Sequence, residues 1–273
     1  MEKFNNFGVL FSFKDVRDFK LVCSKEKPKF NKEFELNMPE VKNQKNVSSC
    51  VAHSIATVIE YFNMKQNNDN RKMSIGYIYG NRKNTIYKGK GMYIREALAN
   101  TRKYGDVTHE SFPYNEEVPE IIDKFNNSYD ELNNIGKGFA ITSYYKLKNI
   151  NEIKLSLINN GPVIIAMDWY DDIEVKDAII ITKQKRSKNT GGHAMVIYGW
   201  NEKGWKIQNS WGTSFGDKGK VILPYDVKIR EAWGIIDTSI NGNIELKQPF
   251  NSNIGKIIAT VLNYILKIIN MKG

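Results

Sequence analysis

An α+β fold in two lobes is the architecture the sequence predicts, on three observations. Apolar residues recur at helical spacing in the first half of the chain. The second half breaks into short apolar or alternating runs bounded by Gly, Asn and Asp. Between them, Asn126 to Asn134 is polar and Asn-rich, which marks a boundary between lobes. The 273 residues are enough for one large domain or two lobes sharing a core.

The elements follow in order. Residues 1–33 are mixed and charged, contain "KEKPKF", and read as an N-terminal arm or short pro-segment. The apolar run from Phe7 to Phe13 is short, interrupted by Ser12 and followed by charges, so no signal peptide is expected there. From Cys50, the residues Ala52, Ile55, Ala56, Ile59 and Phe62 make one apolar helical face, with Ser48 and Ser49 as N-cap candidates. A second helix lies in "MYIREALANTRKYGD", stopped by Gly105, and "SFPYN" is a turn. Beyond the boundary, "KGFAITSYYKL", "GPVIIAMDW", "DAIIIT", "HAMVIYGWN", "GWKIQNSWG" and "GKVILPYD" read as strands of an antiparallel, barrel-like sheet. Among them "NINEIKLSLINNG" is helical, capped by Asn149 or Asn151 and ended by Gly161. In residues 247–273, Ile254, Ile257, Ile258, Val261, Leu262, Ile265, Ile268 and Ile269 follow helical spacing. Such an amphipathic helix can dock on its own protein, fill a partner's groove or lie on a membrane surface. No segment has the length of a transmembrane helix.

Net charge is +10, which suits anionic membrane surfaces or acidic substrates. The basic residues are scattered, and no dense Lys/Arg run carries interleaved aromatics, so nucleic acid is not the expected partner. The only cysteines are Cys23 and Cys50, which excludes a disulfide framework and a Cys-only zinc site. Neither a metal nor a cofactor is expected, and a cytoplasmic location fits the cysteine usage.

Cys50 is the residue that points to chemistry. A thiol becomes a nucleophile when its pKa falls, and a helix N-terminus or a histidine lowers it. Three histidines are available: His53 one turn further along the same helix, His109 in a turn-like segment, and His193 opening a strand after two glycines. Gly192 and its neighbour let a substrate approach closely. Asn209, in "IQNSWG", has an amide oxygen suited to orient an imidazole, and Trp211 can shield that bond from water. Gln44, six residues before Cys50, can donate to an oxyanion alongside the Cys50 backbone N–H.

The order and spacing of these residues resemble the papain-like cysteine peptidases, in a bacterial-type branch. "NQKNVSSCVAHS" resembles that family's Q-G-x-C-G-S-C-W-A-F-S, "GGHAMVIYGW" its histidine strand, and "NSWG" matches its Asn motif letter for letter. "ESFPYN", "NNGPVIIAMD" and "SFGDKGKVIL" extend the likeness over roughly Phe34 to Ile236. The resemblance implies a helical lobe over 34–130, a β-barrel lobe over 131–246 and a cleft between them. It implies Cys50 as nucleophile, His193 as general base and acid, Asn209 as its orienter and Gln44 in the oxyanion hole. Gly91, Gly192 and Trp211 would contact a peptide or protein substrate.

The departures are Val47, where the family has the first cysteine of C-G-S-C, Val51 for its Trp, and His53 for its Phe. His53 therefore reads as a core replacement, His109 as a loop residue and Cys23 as inert. The expected activity is peptide-bond hydrolysis through a thioester. An amidase or acyl transferase with the same Cys–His–Asn apparatus, or a non-catalytic peptide-binding scaffold, remain alternatives.

Overall fold

The computed structural model describes residues 7–16, 18–21, 28–84, 89–113, 129–182, 189–237 and 246–247. Cys23 and the amphipathic stretch from Ile254 to Ile269 lie outside the described residues.

The helices are α1 (Cys50–Asn67), α2 (Ile75–Gly80), α3 (Ile94–Tyr104), α4 (Tyr129–Gly136) and α5 (Ile150–Asn159). α1 is buried on every side from Cys50 to Asn63, beyond the single apolar face its spacing predicts. Its polar positions are answered inside the protein. Glu60 is paired with Lys42 and accepts a hydrogen bond from the Met73 N–H at 2.8 Å, which offsets the cost of burying a carboxylate. α3 ends at Gly105 and α5 starts at Asn149, whose side chain accepts from the Glu152 N–H at 2.9 Å, both as predicted. Ser49 stands at the N-cap position of α1 without capping through its side chain, because its hydroxyl is engaged with His53 instead.

The strands are β1 (Val9–Leu10), β2 (Lys20–Leu21), β3 (Phe34–Glu35), β4 (Met92–Tyr93), β5 (Ser143–Leu147), β6 (Val163–Tyr170), β7 (Glu174–Lys176), β8 (Ile179–Ile181), β9 (Asn189–Asn201), β10 (Gly204–Gln208), β11 (Lys220–Leu223), β12 (Glu231–Ile236) and β13 (Leu246–Lys247). They pair in one mostly antiparallel path, β13-β2-β5-β12-β6-β9-β10-β11-β8-β7. The α+β plan holds, but the sheet is open rather than a closed barrel. Its two edges are occupied by different segments, the β7–β8 hairpin at one end and β13 on β2 at the other. β9 is the hub: it pairs with β6 and β10 along its length and with β3 and β1 at its flanks.

One core cluster gathers α1, α2 and α3 against Ile164, Ala166, Ala194 and Val196 of the sheet. A second joins Leu157 of α5 to side chains of β6, β9, β10 and β11. β9 contributes to both, through residues that alternate between them: Ala194 and Val196 to the first, Met195 and Ile197 to the second. Trp200 ends this run, 1 % exposed, stacked on Phe34 at 4.8 Å and donating to the Asn31 carbonyl at 3.1 Å. Trp200→Ala should therefore lower unfolding free energy by about 3–5 kcal/mol. Urea denaturation measures this, with the exposed Lys32→Ala staying within about 0.5 kcal/mol of the parent.

Candidate active site

Cys50 is the first residue of α1, so its backbone N–H has no partner within the helix and points out of the helix start. Its side chain is fully buried against β9. His193 stands on β9 opposite Met167 of β6, in an eight-residue ladder that fixes its height and facing. The loop after β10 carries Asn209. His193 Nε2 and Asn209 Oδ1 are 2.7 Å apart, and the Ser210 N–H also donates to that oxygen at 2.8 Å. Two donors converging on one atom fix it as the carbonyl oxygen of the amide, which in turn assigns the proton to Nε2. His193 Nδ1 is then the basic nitrogen, and it has no hydrogen-bond partner among the described residues. Trp211 lies nearly parallel to the imidazole, with ring centroids 4.4 Å apart and 21° between planes. It covers the face of the ring and shields the His193–Asn209 bond from water.

Gln44 is completely buried and held from several directions. Its Nε2 donates to the Val47 carbonyl at 2.9 Å, its Oε1 accepts from the Ser210 hydroxyl at 2.7 Å, and its N–H donates to the Ser210 carbonyl at 2.8 Å. The Gly212 N–H bonds the Lys42 carbonyl at 2.9 Å alongside. These bonds stitch the segment preceding α1 to the loop carrying Asn209, so Gln44 and Asn209 cannot drift apart independently.

The cleft over Cys50 is filled by the chain itself. β1 pairs with β4 in parallel and with Gly192 of β9, which lays residues Phe7 to Phe11 across Cys50. The Gly8 N–H lies near enough to the Cys50 thiol to oppose the effect of burial on it, and the Gly8 carbonyl accepts from the Met92 N–H at 2.8 Å. Cys50 thus faces the Gly8 N–H, while the Gly8 carbonyl is turned to Met92. A Cβ on Gly8 would collide with the Ser48 carbonyl, and one on Gly91 would stand 2.6 Å from the Gly8 oxygen, so both glycines are what allow the approach. Downstream, the Ser12 N–H bonds Glu231, and Arg230 sits over the Phe11 ring at 4.3 Å. Arg95 grips both Asp18 oxygens at 2.6 Å and the Phe13 carbonyl at 2.7 Å. The residue pattern leaves the arm's position open; its apolar residues either side of Gly8 are the signal that could have placed it.

Burial pushes the Cys50 thiol up to about 11, against the opposing N–H groups of Ala194, Gly8, Val51 and Cys50 itself. Burial also holds His193 down to about 4, only partly countered by its bond to Asn209. With the arm seated the pair is therefore neutral, thiol and imidazole. Protonating His193 below about 4, or ionising Cys50 toward 11, works against closure, because the charged forms are better solvated when the arm is away.

His53 does not join the pair. Its Nδ1 donates back to the Ser49 carbonyl at 3.0 Å, and burial lowers it to about 3. His109 is a partly buried loop residue on the far side of α1. Both line a cavity of about 570 Å³ there, together with Glu60, Met64 and Met73, and Cys50 is not in its wall. Among the described residues no cluster of three or more His, Cys, Asp or Glu is placed to hold a metal.

The sequence of residues 29–237 matches the family described as papain family cysteine protease. The chain belongs to that family. As a papain-family protein it is 26% identical over 241 residues to a peptidase C1-like protein of Acanthamoeba polyphaga mimivirus, covering 80% of this chain and 76% of that one. It is 30% identical over 231 residues to cathepsin B-like cysteine proteinase 3 of Caenorhabditis elegans, covering 75% of this chain but 60% of the relative. Among solved structures, xylellain, a cysteine protease from Xylella fastidiosa, superposes with a TM-score of 0.75 at 22% identity, over 86% of this chain and 97% of that one. ProCathepsin B S9 from Trypanosoma congolense gives 0.67 at 16%, over 86% and 87%. These likenesses agree with the α+β fold.

The arm's fit gives a direct test. In Gly8→Val the new side chain meets the Ser48 carbonyl and displaces the arm. Iodoacetamide labelling of Cys50 should climb with pH toward about 11 in the parent. In the variant it should plateau earlier and run at least about tenfold faster at pH 8, since each unit of thiol pKa changes the thiolate fraction tenfold.

Proposed function

We propose that this papain-family protein hydrolyses peptide bonds through a thioester acyl-enzyme and is kept latent by its own N-terminal arm. The observation that carries the chemistry is the His193–Asn209–Trp211 arrangement. It presents a basic Nδ1, without another hydrogen bond among the described residues, on the strand packed against Cys50. Once the arm leaves, the proton moves from Cys50 Sγ to His193 Nδ1. The thiolate attacks the substrate carbonyl, and the oxyanion is received by the Cys50 N–H and the Gln44 side-chain amide. His193 then gives the proton to the leaving amine. Water, deprotonated by the same nitrogen, releases the acyl group. Gly91 and Met92 supply the backbone against which an extended peptide pairs, as Met92 now pairs with Val9 and donates to the Gly8 carbonyl.

Latency rests on two features of the arm. Its direction turns the Gly8 carbonyl to Met92 instead of the oxyanion donors, so it is not itself a substrate. Its anchors past the Cys50 crossing are Ser12 on Glu231 and Asp18 on Arg95. The membrane or partner role of the C-terminal amphipathic stretch and a cytoplasmic location stay as expectations of the sequence.

A peptide library digested with the full chain and with Gly8→Val, whose arm is displaced, tests the activity. Cys50→Ala should abolish cleavage, and His193→Ala should slow both cleavage and Cys50 labelling. Gln44→Ala should cost about 10²–10³ in kcat with little change in KM, the signature of a lost oxyanion donor. Equal cleavage by the parent and Cys50→Ala proteins would sink the reading.

A further inference from the structure

β4 reaches the cleft with little regular structure behind it. Its two residues pair with β1, which belongs to the arm, and with no other strand among the described residues. Downstream, Met92 is 3 % exposed and the chain enters α3 at Ile94, so that end is fixed by packing. Upstream, Gly89 and Lys90 are exposed and belong to neither helix nor strand. Once the arm leaves, the backbone that an extended peptide needs has lost its strand partner and has only irregular chain before it. A loose edge gives up part of each hydrogen bond it forms to the cost of ordering itself.

A buried pair of side chains holds that upstream end. Tyr79, in α2, is fully buried, and Arg82, in the 3-10 turn Asn81–Asn84 that follows, is 1 % exposed. The Arg82 guanidinium carbon lies 3.6 Å from the Tyr79 ring centroid, close enough for the cation to act on the ring face. From this stacked position Arg82 Nη1 donates to the Gly89 carbonyl at 3.0 Å, and the Tyr79 hydroxyl accepts from the Gly91 N–H at 3.2 Å. The pair thus grips the chain on either side of Lys90. The turn carrying Arg82 is held in its own right, since Asn100 Nδ2 of α3 donates to the Asn81 carbonyl at 3.2 Å. The grip also decides which N–H serves the cleft. That of Gly91 is turned to Tyr79, so the next one, of Met92, is the donor for a strand lying there, and it now serves the Gly8 carbonyl at 2.8 Å.

We propose that Arg82 is a positioning residue for the peptidase reaction: stacked on Tyr79, it holds Gly89–Gly91 so that the Met92 backbone keeps its place for an extended peptide after the arm has gone. The inference rests on the peptidase reading above. A buried guanidinium is costly to desolvate, and an apolar side chain of similar length would fill the same space without that cost. What Arg alone supplies is a flat cation that covers a ring and donates from its rim to a carbonyl. Because it acts through the backbone, its loss is felt by substrates long enough to reach β4 and not by short ones.

The experiment takes the full-length Gly8→Val protein, whose arm is displaced, as its reference and adds Arg82 or Tyr79 substitutions to it. It measures kcat/KM on two fluorogenic amides with the same residue before the scissile bond, one acetylated directly on that residue and one extended by two further residues. The ratio of extended to short cancels the fraction of active molecules, so a variant that is merely less stable leaves it unchanged. The reference should favour the extended substrate by about tenfold or more. Arg82→Met should lower the ratio by about threefold to tenfold, the net contribution of about one hydrogen bond, and should do so through KM with kcat nearly unchanged. Tyr79→Phe keeps the ring under the guanidinium but removes the acceptor of the Gly91 N–H, and should lower the ratio in the same direction. Arg82→Lys, which keeps the charge without the flat fork, should fall between Arg82→Met and the reference. If Arg82→Met does not fold, as judged by titrating Cys50 with an epoxide probe, Tyr79→Phe and Arg82→Lys decide. An equal loss on both substrates in the deciding variants, or a reference ratio near one, overturns the positioning role. Absence of any cleavage by the Gly8→Val protein would instead overturn the peptidase reading itself, and the positioning role with it.

Discussion

The close approach of the α1 N-terminus to β9 is the constraint on which the rest of the molecule depends. Cys50 belongs to a helix and His193 to a strand, and they can cooperate only if helix and sheet meet with little side-chain bulk between them. The residues at the meeting point are small: Ala52 and Ala56 on α1, Ala166 on β6 and Ala194 on β9, all fully buried in one cluster. The Ala194 N–H lies near enough to the Cys50 thiol to oppose the effect of burial on it. A larger residue at position 194 would push the strand back and take His193 with it, since the two are neighbours on one ladder. The total burial of α1 follows from the same demand, and so does the need to pair Glu60 with Lys42 inside the protein.

A site built this tightly is dry once anything covers it, and the arm covers it. Dryness sets the chemical state. With Gly8 seated, desolvation acts on both members of the pair in the direction of neutrality, raising the thiol and lowering the imidazole. The thiolate–imidazolium form that the proposed chemistry requires is thus selected against by the element that covers Cys50. In the proposed latency, steric and electrostatic blocking are one effect, and removing the arm relieves both together.

Much of this was legible in the residues. The candidate constellation could be read because each member sits in a short motif whose residue types have few other reasons to occur in that order. The "NSWG" run is the clearest, since its residues divide the work: Asn209 accepts from His193, Ser210 holds Gln44 and Trp211 covers the imidazole. The α3 stop at Gly105 and the α5 cap at Asn149 were readable for a similar reason, being local. The open sheet was not readable, because strand order and edge pairing depend on contacts between distant segments such as Lys20 with Lys146. β12 was missed although "EAWGII" is apolar, since its hydrophobic run is short and follows a charged loop. The arm's route was missed because its partners, Met92 and Gly192, lie far along the chain from Val9.

The departures around Cys50 acquire physical content from the hydrogen bonds that replace what is absent. Val47 stands where the family carries a cysteine, and it is buried at 2 % exposure with no crosslink to hold its loop. The Gln44 amide donates to the Val47 carbonyl at 2.9 Å while the Val47 N–H returns a bond to the Gln44 carbonyl at 3.1 Å, closing a tight turn on itself. Lys45, within that turn, takes a φ of 45°, a strained value for a side chain of its size that the two closing bonds maintain. His53 completes the support from the other end: its bond to the Ser49 carbonyl fixes the first turn of α1, where the cap hydroxyl does not. The oxyanion side of the site is therefore positioned by a ring of non-covalent bonds from Gln44 through Val47 to Ser210. That arrangement needs no oxidised cysteine, and it makes Gln44 part of the scaffold as well as of the proposed oxyanion site.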